Sequence, residues 1–396
     1  MIGNVNSGMF TQDHAVKSFA SMIMRLMPGG EAPLFGLTSM TPTETAVQFN
    51  HGYFSKTMLF PAVTIGAAGQ LITDTLLTVV STANVIPGMI LRVDGTNENM
   101  YVQGVLGTTQ IQVQRAFGSV AAVAIPAAAL CIQVGNASEE ASQRPLPVTI
   151  QMVFNTNYTQ IFRNTWAVSG TAAATKMIAG DGNISESKTD CAALHAADIE
   201  KGLLFGQQYV GIRNGQPFHT MDGVFNLITK QASTNITTLG ATTNYTQLET
   251  ALDPVFNVRT DAMSDNSRIM FVGGAAKRVL NNIGRLNATY QMVDGQTSFG
   301  LQFSTFKTTR GTFRIIEHPL LNAYGSTATY AKMAFVMDMS AFRVAYLGNR
   351  KTMAMDLMGE DGVDAIGGTL TTELTTLLKN PQACAVLLNF TAAAAG

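Results

Sequence analysis

Hydrophobic and polar positions change rhythm several times along this chain. Between about 62 and 135 the runs TLLTVVS, MILRVDG, NMYVQGVLG, TQIQVQRAFG and ALCIQVGNAS are short, rich in β-formers and separated by Gly, Pro and Asn. QIQVQ alternates strictly, the pattern of a strand with one face buried. This spacing predicts a small antiparallel, barrel-like β-module. The polar, Pro-terminated NASEEASQRPLP (136–147) leads out of it.

Further on, the pattern favours helix. Ser187 to Asp190 fits a capping box, in which two side chains satisfy orphan backbone N–H groups, and predicts a helix over about 187–209. Its apolar residues form no clean stripe, so the expectation rests on the cap and on Ala and Leu content. Thr246 with Glu249 marks a second start, with Leu248, Leu252 and Phe256 at four-residue spacing and Pro254 placed to kink or end it. SRIMFVGG followed by AAKRVLNNI reads strand, Gly turn, helix. GTFRIIEHP, AKMAFVMDM, FRVAYLG and KTMAMDLM read as strands, and LTTELTTLLKNPQACAVLLNF as two strands around a turn at Asn380–Pro381. At the other end, AVKSFASMIMRLM (15–27) reads as a short helix stopped by Pro28, Gly29 and Gly30, with an extended arm after it. The whole is α+β, with no internal repeat.

Composition changes the picture in one respect. The 396 residues carry 25 Lys and Arg and 26 Asp and Glu, 13% in all, against about 25% in an ordinary soluble domain. Interface cores are depleted in charge and enriched in Met and aromatics, and the chain has 21 Met and 21 Phe. Much of its surface is therefore expected to be covered by other subunits. The formal net charge is −1 and no Lys/Arg run exceeds two residues, so nothing in the pattern resembles a phosphate-gripping segment. Cys131, Cys191 and Cys384 form no CxxC pair and suit free thiols in a reducing compartment. No signal-peptide pattern opens the chain and no apolar run reaches a membrane span; the one at 120–132 is broken by Pro126. Seven Asn-x-Ser/Thr sequons, Asn157 among them, are expected by chance in so Asn- and Thr-rich a chain.

Candidate chemistry is sparse. His14, His51, His195, His219 and His318 make no metal-ligand spacing. Asp190, His195 and Asp198 share one predicted helix, an ordinary surface arrangement. GGAAKR (273–278) stands where backbone N–H groups bind phosphate but lacks the full GxGxxG pattern, and close strand–helix packing explains its glycines better. EDGVD (360–364) lacks EF-hand spacing, and WAVSGT lacks the first glycine of a nucleophile elbow. No enzyme, metal site or cofactor is expected.

The order of elements resembles the major capsid proteins of tailed bacteriophages, with the Hong Kong 97-type fold. PGMILRVDGTNENMYVQGV with IQVQRAFGS and IQVGNASEEAS is similar to the β-module that one branch carries in its extended loop. NYTQIFRNTWAVSGTA resembles the segment returning from that loop, DIEKGLLFGQ with TMDGVFNLI the long helix and the segment after it, and TLTTELTTLLKNPQACAVL the closing strands. The resemblance implies an N-terminal arm over 1–50 and an extended loop over 51–165 carrying the module (about 62–135). It implies a peripheral domain over 166–245 with a spine helix (about 187–209), a mainly axial domain over 246–365, and closing strands with a tail over 366–396. It further implies self-assembly into hexamers and pentamers of an icosahedral shell, in the virion, assembled in the bacterial host cytoplasm around double-stranded DNA that is bound without sequence specificity. A separate scaffolding protein and a portal are implied partners, a decoration protein is an optional one, and no membrane is involved. An encapsulin-like compartment shell, or a decoration or tail protein, is the alternative. A two-stranded arm of about 12 residues per strand spans about 40 Å at ~3.3 Å per residue, enough to cross a neighbour.

Tyr158, Phe162 and Trp166 share a face in a helix or in a strand. Thr159, Thr165 and Val168 favour strand, so this stretch is expected to be the return strand. Its aromatics are expected to pack on the subunit or a neighbour, and Arg163, on the opposite face, is a candidate for an inter-subunit ion pair. These four are the candidate inter-subunit contacts.

Overall fold

The computed structural model describes residues 32–38, 41–56, 61–142, 150–176, 183–258, 266–286, 293–298, 301–325, 327–358 and 363–393. The helix expected over 15–27 lies outside them, as do most of the 1–50 arm and the acids at 360 and 361. The chain forms two bodies, one from Met1–Tyr53 with Asn155–Gly396 and the other from Phe54–Phe154.

The Phe54–Phe154 body is a closed six-stranded antiparallel sheet. Its order is Ala62–Thr64, Leu130–Asn136, Met89–Val93, Asn99–Val105, Gln110–Gln114, Leu76–Thr78. The first and last strands meet through the Ile65–Val79 bridge, with Gly66 N–H donating to Thr78 O and Val80 N–H to Thr64 O, both at 2.9 Å. Closure removes the free edges an open sheet must protect. Alternation supplies the core: Ile111 and Val113 point in while Gln110, Gln112 and Gln114 point out, and Leu77, Leu91, Met100, Val102 and Cys131 join them.

A charged group lies inside this body. Glu98 is fully buried against Arg115, whose Nε and Nη2 donate to its two oxygens at 2.7 and 2.8 Å. The Ala116 and Val123 amides add bonds of 3.1 Å, and Arg115 also reaches the carbonyls of Leu71, Asp74 and Val123. The pair thus ties three turns together with every strong valence used, the condition under which a buried ion pair is tolerated.

The Met1–Tyr53/Asn155–Gly396 body holds two large sheets. One has seven strands in the order Ile236–Thr238, Ala385–Leu388, Ala334–Met337, Ser267–Val272, Thr312–Glu317, Leu301–Lys307, Val293–Ser298. Ser267–Val272 is parallel to Thr312–Glu317 and antiparallel to Ala334–Met337. Both faces are covered: Phe271 and Phe335 enter one core, while Met270, Val272 and Val336 enter another around the helix Gly274–Leu286. The second sheet is built on the 14-residue strand Ala365–Leu378, which pairs with Gln160–Ser169, Phe342–Leu347 and Met353–Met358; Glu44–Ala46 adds parallel to Phe342–Leu347. The two strands expected around Asn380–Pro381 both form, but they enter different sheets.

Three expected boundaries move. The long helix runs Asn183–Phe205, starting four residues before Ser187, and Tyr209 lies in a strand instead. Its buried side includes Cys191, His195, Ile199 and Leu203, a regular four-residue stripe; a histidine and Glu200 stand in that face, which hides it from a reading of apolar positions. The second helix, Tyr245–Leu252, is capped by the Asn244–Gln247 box and not by Thr246 with Glu249. Pro254 then opens a tight 3-10 turn, Asp253–Phe256. All three cysteines are buried free thiols, and burial pushes Cys131 up to about 11 and Cys384 up to about 12.

Burial alone would raise the Glu98 carboxyl, but the Arg115 hydrogen bond, the two amides and the Arg115 charge outweigh it and hold the group below its ordinary value of 4.5. Near that pH the unfolded chain therefore binds more protons than the folded one. The contribution is complete above about pH 4.5 and is lost as pH falls through the lower folded value. Calorimetry of the full chain from pH 6 to 3 is expected to show one transition dropping below pH 4.5. Glu98→Gln is expected to lower that transition already at pH 6, by about 3 kcal/mol, and to flatten its acid dependence.

Candidate assembly surface

The long helix is the frame on which distant segments meet. Glu200, fully buried, accepts from the Leu34 and Phe35 amides at 2.8 and 2.7 Å and from His318 Nε2 at 2.6 Å. Leu34 and Phe35 lie in the first turn of the helix Pro33–Thr38, so a carboxylate from the long helix satisfies its orphan N–H groups. Next to it, His195 Nδ1 lies 2.7 Å from Asn164 Oδ1 and Nε2 lies 2.8 Å from the Thr372 hydroxyl. Burial lowers the His195 pKa and Asp198 opposes this only in part, so the ring is held neutral between those partners. Both ring nitrogens of His195 are thus engaged by neutral partners, and no catalytic constellation forms around it among the described residues.

Asn157 is also fully engaged. Its side-chain amide donates to the carbonyls of Asp222 and Thr376 at 3.0 and 2.8 Å, and its oxygen accepts from the Tyr158 and Asp222 amides at 2.9 and 2.8 Å. A sequon asparagine so enclosed is a structural joint.

The four candidate contacts diverge in environment. Gln160–Ser169 is a strand, as expected. Phe162 packs so tightly on the long helix that a Cβ at Gly202 would stand 2.7 Å from its ring. Trp166 sits with Val168 and Cys191, Lys188 Nζ lies 4.9 Å above its ring, and Gly368 opposite it leaves room for the indole. Both side chains are therefore buried within the subunit. Tyr158 is half-buried against Phe49, with ring centroids 5.7 Å apart. Arg163 is exposed and has no ion-pair partner among the described residues.

The element that sequence reasoning missed is the hairpin Tyr209–Arg213/Gln216–Thr220, placed by expectation partly in the helix. Asn214 and Gly215 both have positive φ, 52° and 72°, as a two-residue turn between twisted strands requires. The Asn-Gly pair was the available signal. Among the described residues the hairpin pairs with no other strand, and its apolar residues enter none of the core clusters there. Ile212 is 80% exposed, Tyr209 59%, Val210 50% and Phe218 37%. A lone two-stranded hairpin is marginal in water. Here its base is anchored by His219, which bonds the Thr159 carbonyl and stacks on Phe49 at 5.5 Å, and by Thr220 donating to Gln207 O at 2.6 Å.

The other sequence candidates resolve structurally. Gly274 N–H donates to Asn322 Oδ1 at 2.6 Å and Gly273 N–H to Met333 O at 3.0 Å, so those GGAAKR amides are already used; a Cβ at Gly273 would collide with the Ala331 backbone. Among the described residues no group of three His, Cys, Asp or Glu side chains is placed to hold a metal ion, and no helix there is long and apolar enough to cross a membrane.

Known proteins resemble this chain along nearly its whole length. The family model described as SU10 major capsid protein matches residues 5–391. The major capsid protein of Pseudomonas phage PaMx41 is 36% identical over 401 residues, covering 97% of this chain and 95% of that protein. Among solved structures, the capsid of a native GTA particle aligns over 99% of both chains at 8% identity and a TM-score of 0.48. A structure of Mycobacterium phage Bobi aligns over 95% of this chain and 96% of its own at 10% identity and a TM-score of 0.47.

Replacing Glu200 by Gln leaves only one oxygen for the three N–H groups of Leu34, Phe35 and His318. The expected loss is about 2–3 kcal/mol of unfolding free energy in denaturant titration. Lys201→Gln, one position along but exposed, is expected to change stability by less than about 0.5 kcal/mol.

Proposed function

From the premise that the chain belongs to the SU10 major capsid protein family, we propose that its copies associate as hexamers and pentamers of a closed icosahedral head around double-stranded DNA. It is a phage major capsid protein and forms the capsid shell of the virion; its α+β architecture is read as the Hong Kong 97 type. The observation that carries this is the match of the family model to nearly the whole chain, residues 5–391. The family is structural, which accords with the scarcity of charge.

The finer reading concerns which surfaces do the joining. The exposed hairpin Tyr209–Thr220 is assigned to contact between copies, because its apolar side chains find little cover among the described residues. Rings are built from heterologous contacts, with two different faces on each copy. Arg163 is assigned to an ion pair across such a boundary; Tyr158, at its half-buried edge, lies beside it, and Phe162 and Trp166 support the strand from inside. The Phe54–Phe154 body is read as the module of the extended loop, Pro33–Thr38 as part of the N-terminal arm, and Asn183–Phe205 as the spine. A separate scaffolding protein and a portal are the further partners, with assembly in the host cytoplasm.

Two variants test this by electron microscopy and sedimentation. Ile212→Asp is expected to remain folded, with unchanged melting, yet to yield free subunits or rings in place of closed shells. Deleting 66–134 is expected to leave a foldable chain whose shells fail or are fragile. Normal, stable shells from both would sink these assignments.

A further inference from the structure

We propose that a cavity beside the helix Gly274–Leu286 is a docking point for the phosphate backbone of the enclosed DNA. The proposal rests on the reading that the shell encloses double-stranded DNA. The cavity has a volume of about 540 Å³, and its lining includes Arg278, Arg285 and Lys332 together with Asn282, Thr327 and Thr391, but no acidic residue. Arg278 and Arg285 are exposed and Lys332 is half-buried. None of the three has an ion-pair partner among the described residues, whereas the adjacent Lys277 lies 3.1 Å from Glu317.

In a chain with only 25 Lys and Arg in 396 residues, three unpaired cations around one hollow need a cause. The helix macrodipole accounts for Arg285, which lies in the last turn. It does not account for Arg278 near the start, nor for Lys332 on a separate turn. Arg278, Asn282 and Arg285 recur at intervals of four and three and so share one helix face. The two guanidinium-bearing positions are about 10.5 Å apart along the axis, at 1.5 Å per residue. Two cations so spaced on one face can each meet a separate phosphate of a duplex. Guanidinium forks match phosphate oxygens, and the Asn282 amide and the Thr327 hydroxyl add neutral donors. None of these groups reads base edges, so the contact is independent of sequence. Three contacts per copy bind weakly, but repetition over a closed lattice makes the sum large while each contact stays reversible.

The test uses unassembled subunits of the full chain and a short fluorescent duplex of random sequence, with anisotropy measured from low to moderate salt. Each phosphate contact contributes about −0.9 to the slope of log affinity against log salt, so the variant Arg278→Ala/Arg285→Ala/Lys332→Ala is expected to make the slope shallower by about 2.7. Arg278→Lys/Arg285→Lys is expected to keep it. Shell formation by the triple variant is scored separately by electron microscopy. An unchanged slope, or preference for a poly-glutamate peptide over the duplex, overturns the DNA assignment and leaves the shell reading standing. Failure of the wild-type chain to form shells would strike the shell reading instead.

Discussion

The joint at Glu200 is the constraint around which the larger body is organised. A carboxylate with no solvent access must have its lone pairs filled, or it costs several kcal/mol. Here the partners come from Leu34, Phe35 and His318, segments distant in the chain from the long helix. Satisfying one charge therefore fixes where the helix Pro33–Thr38 begins and where the turn after Thr312–Glu317 must pass. The neutral His195, held between Asn164 and Thr372, does the same for the neighbouring strands. The long helix is less an apolar rod than a row of addresses, each read by a different part of the chain.

The two bodies reach order by different means. The barrel relies on alternation and closure, with one ion pair pinning its turns. The other body relies on shared strands: Gln160–Ser169, Phe342–Leu347 and Met353–Met358 all register on Ala365–Leu378. Gly368 shows how tight that register is, since any side chain there would collide with Trp166. The seam is thus held rigid by backbone register and side-chain fit together.

Legibility in the sequence tracked the physics of each element. QIQVQ was readable because a one-faced strand repeats every second residue, and SRIMFVGGAAKRVL because glycine marks the change of period. The long helix was recognisable in kind but not in extent. Its inward stripe contains His195 and Glu200, and only their hydrogen-bond partners, far away in sequence, make those positions interior. The hairpin was lost because a helical reading ran across Tyr209, although Asn214–Gly215 announced the turn. Phe162 and Trp166 were legible as one face of a strand, yet nothing local could say that the cover over that face comes from the same subunit. The grouping of Lys332 with Arg278 and Arg285 is likewise a product of tertiary structure.

The division of the last strands between two sheets has a consequence for the time course of synthesis. Ala365–Leu378 lies at the centre of one sheet, and Ala385–Leu388 lies between Ile236–Thr238 and Ala334–Met337 in the other. Neither sheet has its full set of hydrogen bonds until these late residues have left the ribosome. At about 5–20 residues per second, the earlier strands wait many seconds for them. A nascent chain is thus an incomplete subunit until both of these strands have emerged. Translation sets the earliest moment at which a subunit becomes competent to join others.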